Sequence, residues 1–167
     1  SNGVNLTDGL DGLAVGCSAI TFSGLGTEIL LRNDQSLIIY SFLCFSLSGI
    51  CLGFLKYNKF PAQIFLGDTG SLCLGAILGF ICVLSNSFYT TIALSGIFIV
   101  ETFSVILQVS YFKLTKKFLL KGKRLFLMSP IHHHFELKGI QEEKIVETFW
   151  KINIMFMFLV IVLEISF

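Results

Sequence analysis

Residues 69–100 read TGSLCLGAILGFICVLSNSFYTTIALSGIFIV, and none of these 32 residues is charged. A helix needs about 20 apolar residues to cross a bilayer, so the stretch is too long for one span and too short for two. The polar triplet Ser85-Asn86-Ser87 interrupts it. The stretch therefore predicts one membrane-spanning helix before the triplet and a second one that continues past Glu101 to about Phe112.

The composition of the whole chain also predicts a membrane protein. Of its 167 residues, 54% are hydrophobic and 14% are charged, whereas a soluble domain carries about 25% charged residues. The net charge of +1 provides no basic field to attract nucleic acid, so no nucleic-acid partner is expected. We predict an all-α integral membrane protein with about five transmembrane helices, at residues 12–30, 37–55, 69–85, 90–112 and 148–166.

The basic residues predict how these helices are oriented. Five helices place residues 1–11, 56–68 and 113–147 on one side of the membrane, and that side, with Lys151 at its edge, holds eleven of the twelve Lys and Arg residues. Only Arg32 lies on the other side. Because loops rich in Lys and Arg stay in the cytoplasm, we expect the first side to be cytoplasmic.

Polar residues gather in three segments on this same side, although Asp and His played no part in the assignment. The segments are 5–14, 58–71 and 129–136. In the first, the three-residue spacing of Asp8 and Asp11 predicts that both carboxylates lie on one side of the first turn of a helix. Helix capping explains one acid at such a place. Two neighbouring carboxylates repel each other, so a shared metal ion or polar ligand explains the pair better.

Asp68 enters the third predicted helix, followed by Thr-Gly-Ser. It would serve as a helix cap, but an acid at the membrane edge is costly unless it is hydrated or paired. Acids without a matching basic partner nearby suggest a hard cation. Mg²⁺ takes one or two carboxylates and completes its shell with water and phosphate oxygens, so the polar segments suggest a magnesium site.

Two further features leave alternatives open. The consecutive His132, His133 and His134 cannot all face one ion in regular structure, so zinc is a poor fit. Phosphate contacts or local hydrogen-bonded structure suit these imidazoles better. Glu101 lies within the fourth predicted helix, where an acid is by default a functional candidate. A buried hydrogen bond to Ser, Thr or Gln of a neighbouring helix explains it equally well.

The polar segments resemble a known family. SNGVNLTDGLDGLA at 1–14, FLGDTGS at 65–71, ETFSVILQV at 101–109 and PIHHHFE at 130–136 are similar, in this order, to motifs of the phospho-N-acetylmuramoyl-pentapeptide transferases. These enzymes belong to the polyprenyl-phosphate N-acetylhexosamine-1-phosphate transferases, the glycosyltransferase 4 family. The resemblance implies a ten-helix membrane enzyme of which this chain is the last five helices. The missing upstream half should carry an adjacent Asp pair, so the fragment alone is expected to be inactive.

The resemblance also implies a reaction. The family moves phospho-N-acetylmuramoyl-pentapeptide from its UDP-linked precursor to undecaprenyl phosphate, giving lipid I and UMP in peptidoglycan synthesis, and it requires Mg²⁺. The implied partners are UDP-N-acetylmuramoyl-pentapeptide, undecaprenyl phosphate, the lipid bilayer, the missing N-terminal half and, as a further candidate, a second copy in a homodimer. The implied location is the bacterial inner membrane, with the active site facing the cytoplasm.

Roles for individual residues follow from the same resemblance. Asp68 is implied as the Mg²⁺ ligand, and the catalytic candidates are Asp68, Asp8, His132 and His133. Asp8 would support the metal and phosphate region, while the two histidines would contact the diphosphate or hold their loop. The implied substrate-binding residues are Asn5, Leu6, Gly9, Asp11, Asn58, Phe65 and His134, with Phe65 stacking on uracil. Direct attack by the lipid phosphate is preferred, and an Asp68-phosphate intermediate stays open.

Two other functions stay open. The first is a sister transferase that moves N-acetylglucosamine 1-phosphate to a polyprenyl phosphate. The second is a transporter, a class that places polar residues near the membrane midplane, often at broken helices. Glu101 is the single acid predicted at that depth, and the other acids cluster toward one surface, so the transporter fits the sequence less well.

Overall fold

The computed structural model describes residues 1–166, apart from the side chain of Leu119. Every regular element in this part of the chain is an α-helix, which confirms the predicted all-α class. The helices are α1 (Asn2–Thr7), α2 (Leu13–Leu31), α3 (Ile38–Asn58), α4 (Gly67–Leu84), α5 (Phe88–Leu94), α6 (Gly96–Leu119), α7 (Ile131–Leu137) and α8 (Glu142–Ser166). Five of them, α2, α3, α4, α6 and α8, are long and apolar enough to cross a membrane, as in a multi-pass membrane protein.

Helix α2 forms the centre of the bundle. In the apolar part of α2, 78% of the residues are buried, whereas 22–28% are buried in the corresponding part of each of the other four spans. Helix α3 packs along it more extensively than any other helix, followed by α8. The outer helices present large apolar side chains to the surroundings, including Ile39, Phe80 and Phe103. Such surfaces are compatible with lipid tails, which are as apolar as these side chains.

Small residues let neighbouring helices approach α2 closely. Gly16 lies against the indole of Trp150 in α8. Gly26 lies against α3, where the hydroxyl of Ser41 donates a 2.7 Å hydrogen bond to its carbonyl oxygen. Association of helices in a membrane depends on close packing and on interhelical hydrogen bonds of this kind, so these contacts fix the position of α2 between its neighbours.

Gly16→Ala should destabilise the bundle. A methyl group at this position would collide with the indole of Trp150, and overpacking costs about 1–3 kcal/mol. Gly53→Ala is the matched control, because a methyl group there meets no described atom within 4 Å beyond its neighbours and the backbone of α3, and alanine favours a helix over glycine by about 1 kcal/mol. Thermal unfolding of the detergent-solubilised protein should show a lower midpoint for Gly16→Ala only. An unchanged midpoint would contradict this packing.

The fourth span is broken where the sequence predicts one helix over residues 90–112. The structure has two helices, α5 and α6, separated at Ser95. Serine and glycine are weak helix formers, and Gly96 lies against the ring of Phe156, which brings α8 close to the break. Because the residues on both sides are equally apolar, an analysis of hydropathy and charge does not detect it.

Two segments expected as loops also contain helix. Residues 1–11 include α1, and residues 113–147 include the end of α6, all of α7 and the beginning of α8. Helix α1 has only six residues, and α4 helps to hold it, since the hydroxyl of Ser1 donates a 2.9 Å hydrogen bond to the carbonyl of Leu72. A helix this short depends on tertiary contacts, which sequence periodicity does not reveal.

Arg32, the one basic residue assigned to the far side, belongs to a polar cluster at that end of the bundle. Its guanidinium forms an ion pair with Glu28 one turn earlier and donates a 2.9 Å hydrogen bond to the carbonyl of Ser85. The buried carboxylate of Glu28 also accepts a 3.1 Å hydrogen bond from the hydroxyl of Ser87. This cluster ties α2 to the connection that follows α4.

Candidate functional site

The polar segments meet at the other end of the bundle, around a cavity of about 240 Å³. The turn before α2, the last residue of α3 and the entry to α4 form its wall. The lining residues are Asp8, Gly9, Leu10, Asp11, Asn58, Phe65, Leu66, Gly67 and Asp68. Six of the eleven residues that the sequence assigns to the site are therefore brought together here, namely Asp8, Gly9, Asp11, Asn58, Phe65 and Asp68.

Asp68 lies in the first turn of α4, and α1 orients its carboxylate. Gly67 before it has a φ of +66°, a left-handed conformation that glycine adopts without strain. The side-chain amide of Asn5 donates hydrogen bonds of 2.9 Å to Oδ1 of Asp68 and 3.0 Å to Oγ of Ser71. Asn5 therefore contributes to the site by holding Asp68, and it does not line the cavity itself.

The carboxyl group of Asp8 lies beside this entry to α4. Burial raises its pKa from 3.8 to about 6; a hydrogen bond from the backbone of Gly67 offsets part of this rise, and the negative charge of Asp68 adds to it. Neighbouring carboxylates repel each other unless one is protonated or a cation lies between them. The two acids thus form a pair that a shared cation would stabilise.

The raised pKa of Asp8 predicts a pH dependence of stability. Between about pH 4 and 6 the folded protein holds a proton that the unfolded chain releases, so this carboxyl lowers the stability as the pH rises through that range. Asp8→Asn should therefore raise the thermal midpoint at pH 8 without divalent cations, and raise it less at pH 5. Asp34→Asn is a control of opposite sign, because hydrogen bonds from Ser36 lower the pKa of that exposed carboxyl. Equal increases at both pH values for Asp8→Asn would contradict the raised pKa.

Asp8 and Asp11 lie in the turn between α1 and α2, so the prediction that they share the first turn of a helix is wrong. Gly12 caps α2 without any side-chain hydrogen bond, so neither acid serves as its cap. Oδ2 of Asp11 accepts a 2.8 Å hydrogen bond from the backbone N–H of Ala62. The backbone N–H of Asp11 donates to a carboxylate oxygen of Glu142 at 2.7 Å. The turn is thus fixed by the α3–α4 connection and by α8, not by helical spacing.

Asn58 and Phe65 complete the cavity on the side of the α3–α4 connection. The amide of Asn58 donates a 2.9 Å hydrogen bond to the carbonyl of Ile64, while its buried Oδ1 has no hydrogen-bond partner in the described part of the chain. The ring of Phe65 is 73% exposed. An exposed ring offers a face for stacking. This side of the cavity is therefore suited to a flat heterocycle, while Asn58 holds the connection in place.

His132 and His133 approach the turn of Asp8 from the first turn of α7. A methyl group on Gly9 would collide with Nε2 of His132 and would lie 3.2 Å from Nε2 of His133. The side chain of His132 is fully buried, whereas that of His133 is 25% exposed, with Nδ1 2.9 Å from a carboxylate oxygen of Glu136. His133 is therefore the ring of this pair that a ligand can reach, and His132 packs against the turn.

Besides Asn5, two predicted substrate-binding residues lie outside the cavity. Nδ1 of His134 accepts a 3.1 Å hydrogen bond from the backbone N–H of Leu127, and its ring meets the edge of Phe126. His134 therefore holds the connection that precedes α7 against the helix. Leu6 is half-buried in α1 and does not line the cavity. Substrate contacts of these two residues stay predictions.

Glu101 and Glu142 contribute contacts that the sequence did not assign. The sequence leaves two interpretations of Glu101 open, a functional role and a buried hydrogen bond to Ser, Thr or Gln of a neighbouring helix. In the structure its carboxylate accepts a 2.8 Å hydrogen bond from the backbone N–H of Ile131 and lies beside His132. The sequence indicates Glu101 as a candidate, because it is an isolated acid in an apolar helix. It does not distinguish Glu142, which is one of several charged residues at the beginning of α8.

The acids of the cavity fit a magnesium ion better than zinc. Ion pairs in the described part of the chain join Arg32 to Glu28 and Lys151 to Glu147, and His132 and His133 lie beside Glu101 and Glu136. Asp8, Asp11 and Asp68 therefore have no basic partner there. Within residues 1–166 no three His, Cys, Asp or Glu side chains are arranged to hold a metal by themselves. Zinc needs a larger set of protein ligands, whereas one or two carboxylates suffice for Mg²⁺ with water and phosphate.

Five apolar helices with a paired-acid cavity at one end define a multi-pass membrane protein with a polar site. Residues 1–86, more than half of the chain, match glycosyl transferase family 4, and the chain belongs to this family. It is 68% identical over 166 residues to the phospho-N-acetylmuramoyl-pentapeptide-transferase of Prochlorococcus marinus (strain MIT 9301). The aligned residues are 99% of the chain and 46% of that relative.

More distant relatives carry the same name. The phospho-N-acetylmuramoyl-pentapeptide-transferase of Prochlorococcus marinus (strain NATL2A) is 50% identical over 162 residues, with 97% of the chain and 43% of the relative covered. That of Synechococcus sp. (strain CC9605) is 47% identical over 153 residues, with 92% and 44% covered. The chain thus spans less than half the length of these relatives.

Proposed function

We propose that the chain is part of a Mg²⁺-dependent enzyme that transfers phospho-N-acetylmuramoyl-pentapeptide from its UDP-linked precursor to undecaprenyl phosphate. The products are lipid I, for peptidoglycan synthesis, and UMP. The observation that carries the proposal is the pair of Asp8 and Asp68 at a cavity that also presents Phe65. Two acids without a basic partner suit the cation that accompanies a diphosphate, and an exposed ring suits a nucleobase. The names of the relatives support this choice of sugar.

In the proposed reaction an oxygen of the lipid phosphate attacks the phosphorus that bears the sugar. A bond forms between these two atoms, and the bond from that phosphorus to the oxygen of UMP breaks. Phosphoryl transfer depends mainly on positioning and on charge stabilisation. Asp68, held by Asn5, would bind Mg²⁺ with Asp8 beside it. The chemistry that Mg²⁺ supplies is neutralisation of the negative charge that two phosphorylated substrates bring together.

The other residues of the cavity bind and orient the nucleotide in this proposal. Phe65 stacks on uracil, and Asn58, whose amide holds the carbonyl of Ile64, shapes the nucleoside pocket. The Asp8–Asp11 turn forms the floor between nucleoside and diphosphate, and His133, with its partly exposed ring, contacts the diphosphate. His132 keeps this turn and α7 together without touching the substrate, since its side chain is fully buried.

The proposed location is the bacterial inner membrane, with the cavity on the cytoplasmic side. The connections that form the cavity belong to the side that carries eleven of the twelve basic residues, which supports this orientation. A soluble nucleotide and a membrane-bound lipid phosphate can meet at such a surface. Because the chain spans 46% of the length of its relative, we also propose that an upstream half completes the site and that the chain alone is inactive.

The test uses the chain joined to its upstream half and reconstituted in lipid that contains undecaprenyl phosphate. Under direct attack, labelled UMP enters the nucleotide only by the reverse reaction of lipid I, so the exchange needs this acceptor lipid. Labelled UMP should exchange into UDP-N-acetylmuramoyl-pentapeptide when Mg²⁺ is present, and the exchange should stop when a chelator removes it. The chain alone is the control and should give no exchange. Exchange with UDP-N-acetylglucosamine only would assign the protein to the sister transferases. No exchange with either nucleotide in a folded preparation would overturn the proposal and favour the transporter alternative.

A further inference from the structure

Glu101 of α6 is a fully buried carboxylate with two partners, and both belong to the beginning of α7. Oε2 accepts a 2.8 Å hydrogen bond from the backbone N–H of Ile131. Oε1 lies 3.1 Å from Nδ1 of His132, whose side chain is also fully buried, and the alignment of the two atoms falls short of a hydrogen bond. A carboxylate oxygen this close to a bare ring nitrogen would bring two regions of lone-pair density together. The distance therefore favours a proton on Nδ1 of His132.

The second nitrogen of the same ring has a different environment. Nε2 of His132 points at Gly9, where a methyl group would collide with it. Nε2 is buried and has no hydrogen-bond partner in the described part of the chain. A buried N–H without an acceptor would cost the desolvation of a donor as well as the space of a hydrogen atom. The packing against glycine therefore favours a bare Nε2.

We infer that Glu101 is a positioning residue that holds His132 as the neutral Nδ1–H tautomer, with the lone pair of Nε2 directed at the Gly9 turn. The carboxylate fixes the ring and the first backbone N–H of α7 at the same time. The ring in turn packs against the turn that carries Asp8 and Asp11. Glu101 of α6 thus positions α7 and the ring of His132, and this ring positions the turn that lines the cavity. The effect on catalysis rests on the proposed function, whereas the tautomer does not.

Glu101→Gln tests the inference because the donors and acceptors around it predict one definite change of the His132 tautomer. The backbone N–H of Ile131 can only donate, so the single amide oxygen of glutamine must face it. The amide NH₂ then faces Nδ1 of His132 and needs an acceptor there. The imidazole can meet this need only by moving its proton to Nε2, which directs an N–H at Gly9. The substitution keeps the shape of the side chain and inverts the tautomer.

The experiment is NMR of ¹⁵N-histidine in the full-length protein, since bare and protonated ring nitrogens of neutral histidine give separate signals. His132→Asn identifies the signals of His132. In the unmodified protein Nδ1 should be protonated and Nε2 bare, and Glu101→Gln should exchange the two. Glu28→Gln, a buried acid at the other end of α2, and Glu136→Gln, the partner of His133, should leave the His132 signals unchanged.

Two results would overturn the inference. One is a His132 in the unmodified protein whose Nε2 is protonated. The other is a Glu101→Gln protein in which the His132 tautomer is unchanged. In the exchange assay, Glu101→Gln should lower kcat by about tenfold or more with little change in KM, as loss of a supporting contact does. If the unmodified protein shows no exchange, the proposed function fails while the spectrum still decides the tautomer.

Discussion

Asp68→Asn should lower the rate of UMP exchange at least about a hundredfold, the loss typical when one electrostatic contact to a transition state is removed. Asparagine keeps an oxygen at the position where Oδ1 accepts the 2.9 Å hydrogen bond from Asn5, so α1 and α4 stay joined. What the variant loses is the negative charge beside Asp8. The exchange assay with the reconstituted full-length protein measures the rate, and thermal unfolding verifies that the fold is retained.

Asp34→Asn is the matched control for this experiment. Asp34 is an exposed acid in the connection between α2 and α3, at the opposite end of the bundle from the cavity. Its replacement removes the same charge and should leave exchange unchanged. If Asp68→Asn retained more than half of the activity while it folded normally, Asp68 would not be the residue on which the reaction depends.

Gly9→Ala is expected to have the second largest effect. The added methyl group would collide with Nε2 of His132 and lie 3.2 Å from Nε2 of His133. The ring of His132 cannot easily move away, because it is buried and held by Glu101. The turn that carries Asp8 must shift instead. A displacement of about 1 Å at a reacting site can cost about a hundredfold in rate, so exchange should fall by this order.

The control for Gly9→Ala is Gly49→Ala on α3, where an added methyl group meets no described atom within 4 Å beyond its neighbours and the backbone of its own helix. Both proteins should be purified in parallel and compared in the exchange assay and in thermal unfolding. Gly49→Ala should match the unmodified protein in rate. Full activity of Gly9→Ala would show that contact between α7 and the turn is not needed for catalysis.

The fold could be predicted where it depends on length and on the absence of charge. Helices α2, α3 and α4 begin and end within three residues of the predicted bounds, since each span is delimited by polar residues. Helix α8 begins at Glu142, whereas the prediction starts at residue 148. Charged residues end an apolar stretch without ending a helix. The break at Ser95 depends on packing against α8, which hydropathy does not contain.

The types of residue in the site could be predicted from the sequence, but the contacts that hold these residues in place could not. Acids and histidines are visible as residue types, and six of the predicted residues share one cavity. The contacts that hold them join distant positions: Glu101 and Ile131 are 30 residues apart, and Glu142 and Asp11 are 131 residues apart. The geometry of the Asp8–Asp11 turn depends on such contacts. Local spacing therefore suggested a helical turn that does not form.

The three adjacent histidines of α7 face α6, α7 itself and the connection before it. The three identical residues thus make three different contacts, and those of His132 and His134 depend on the position of α7 along the chain. One inserted residue before Pro130 would leave the His-His-His pattern and the contact of His133 with Glu136 intact, but it would rotate His132 and His134 by about 100° relative to Glu101 of α6 and to the connection before α7. These two imidazoles would then lose their partners. This segment should therefore tolerate a single substitution better than any change in its length.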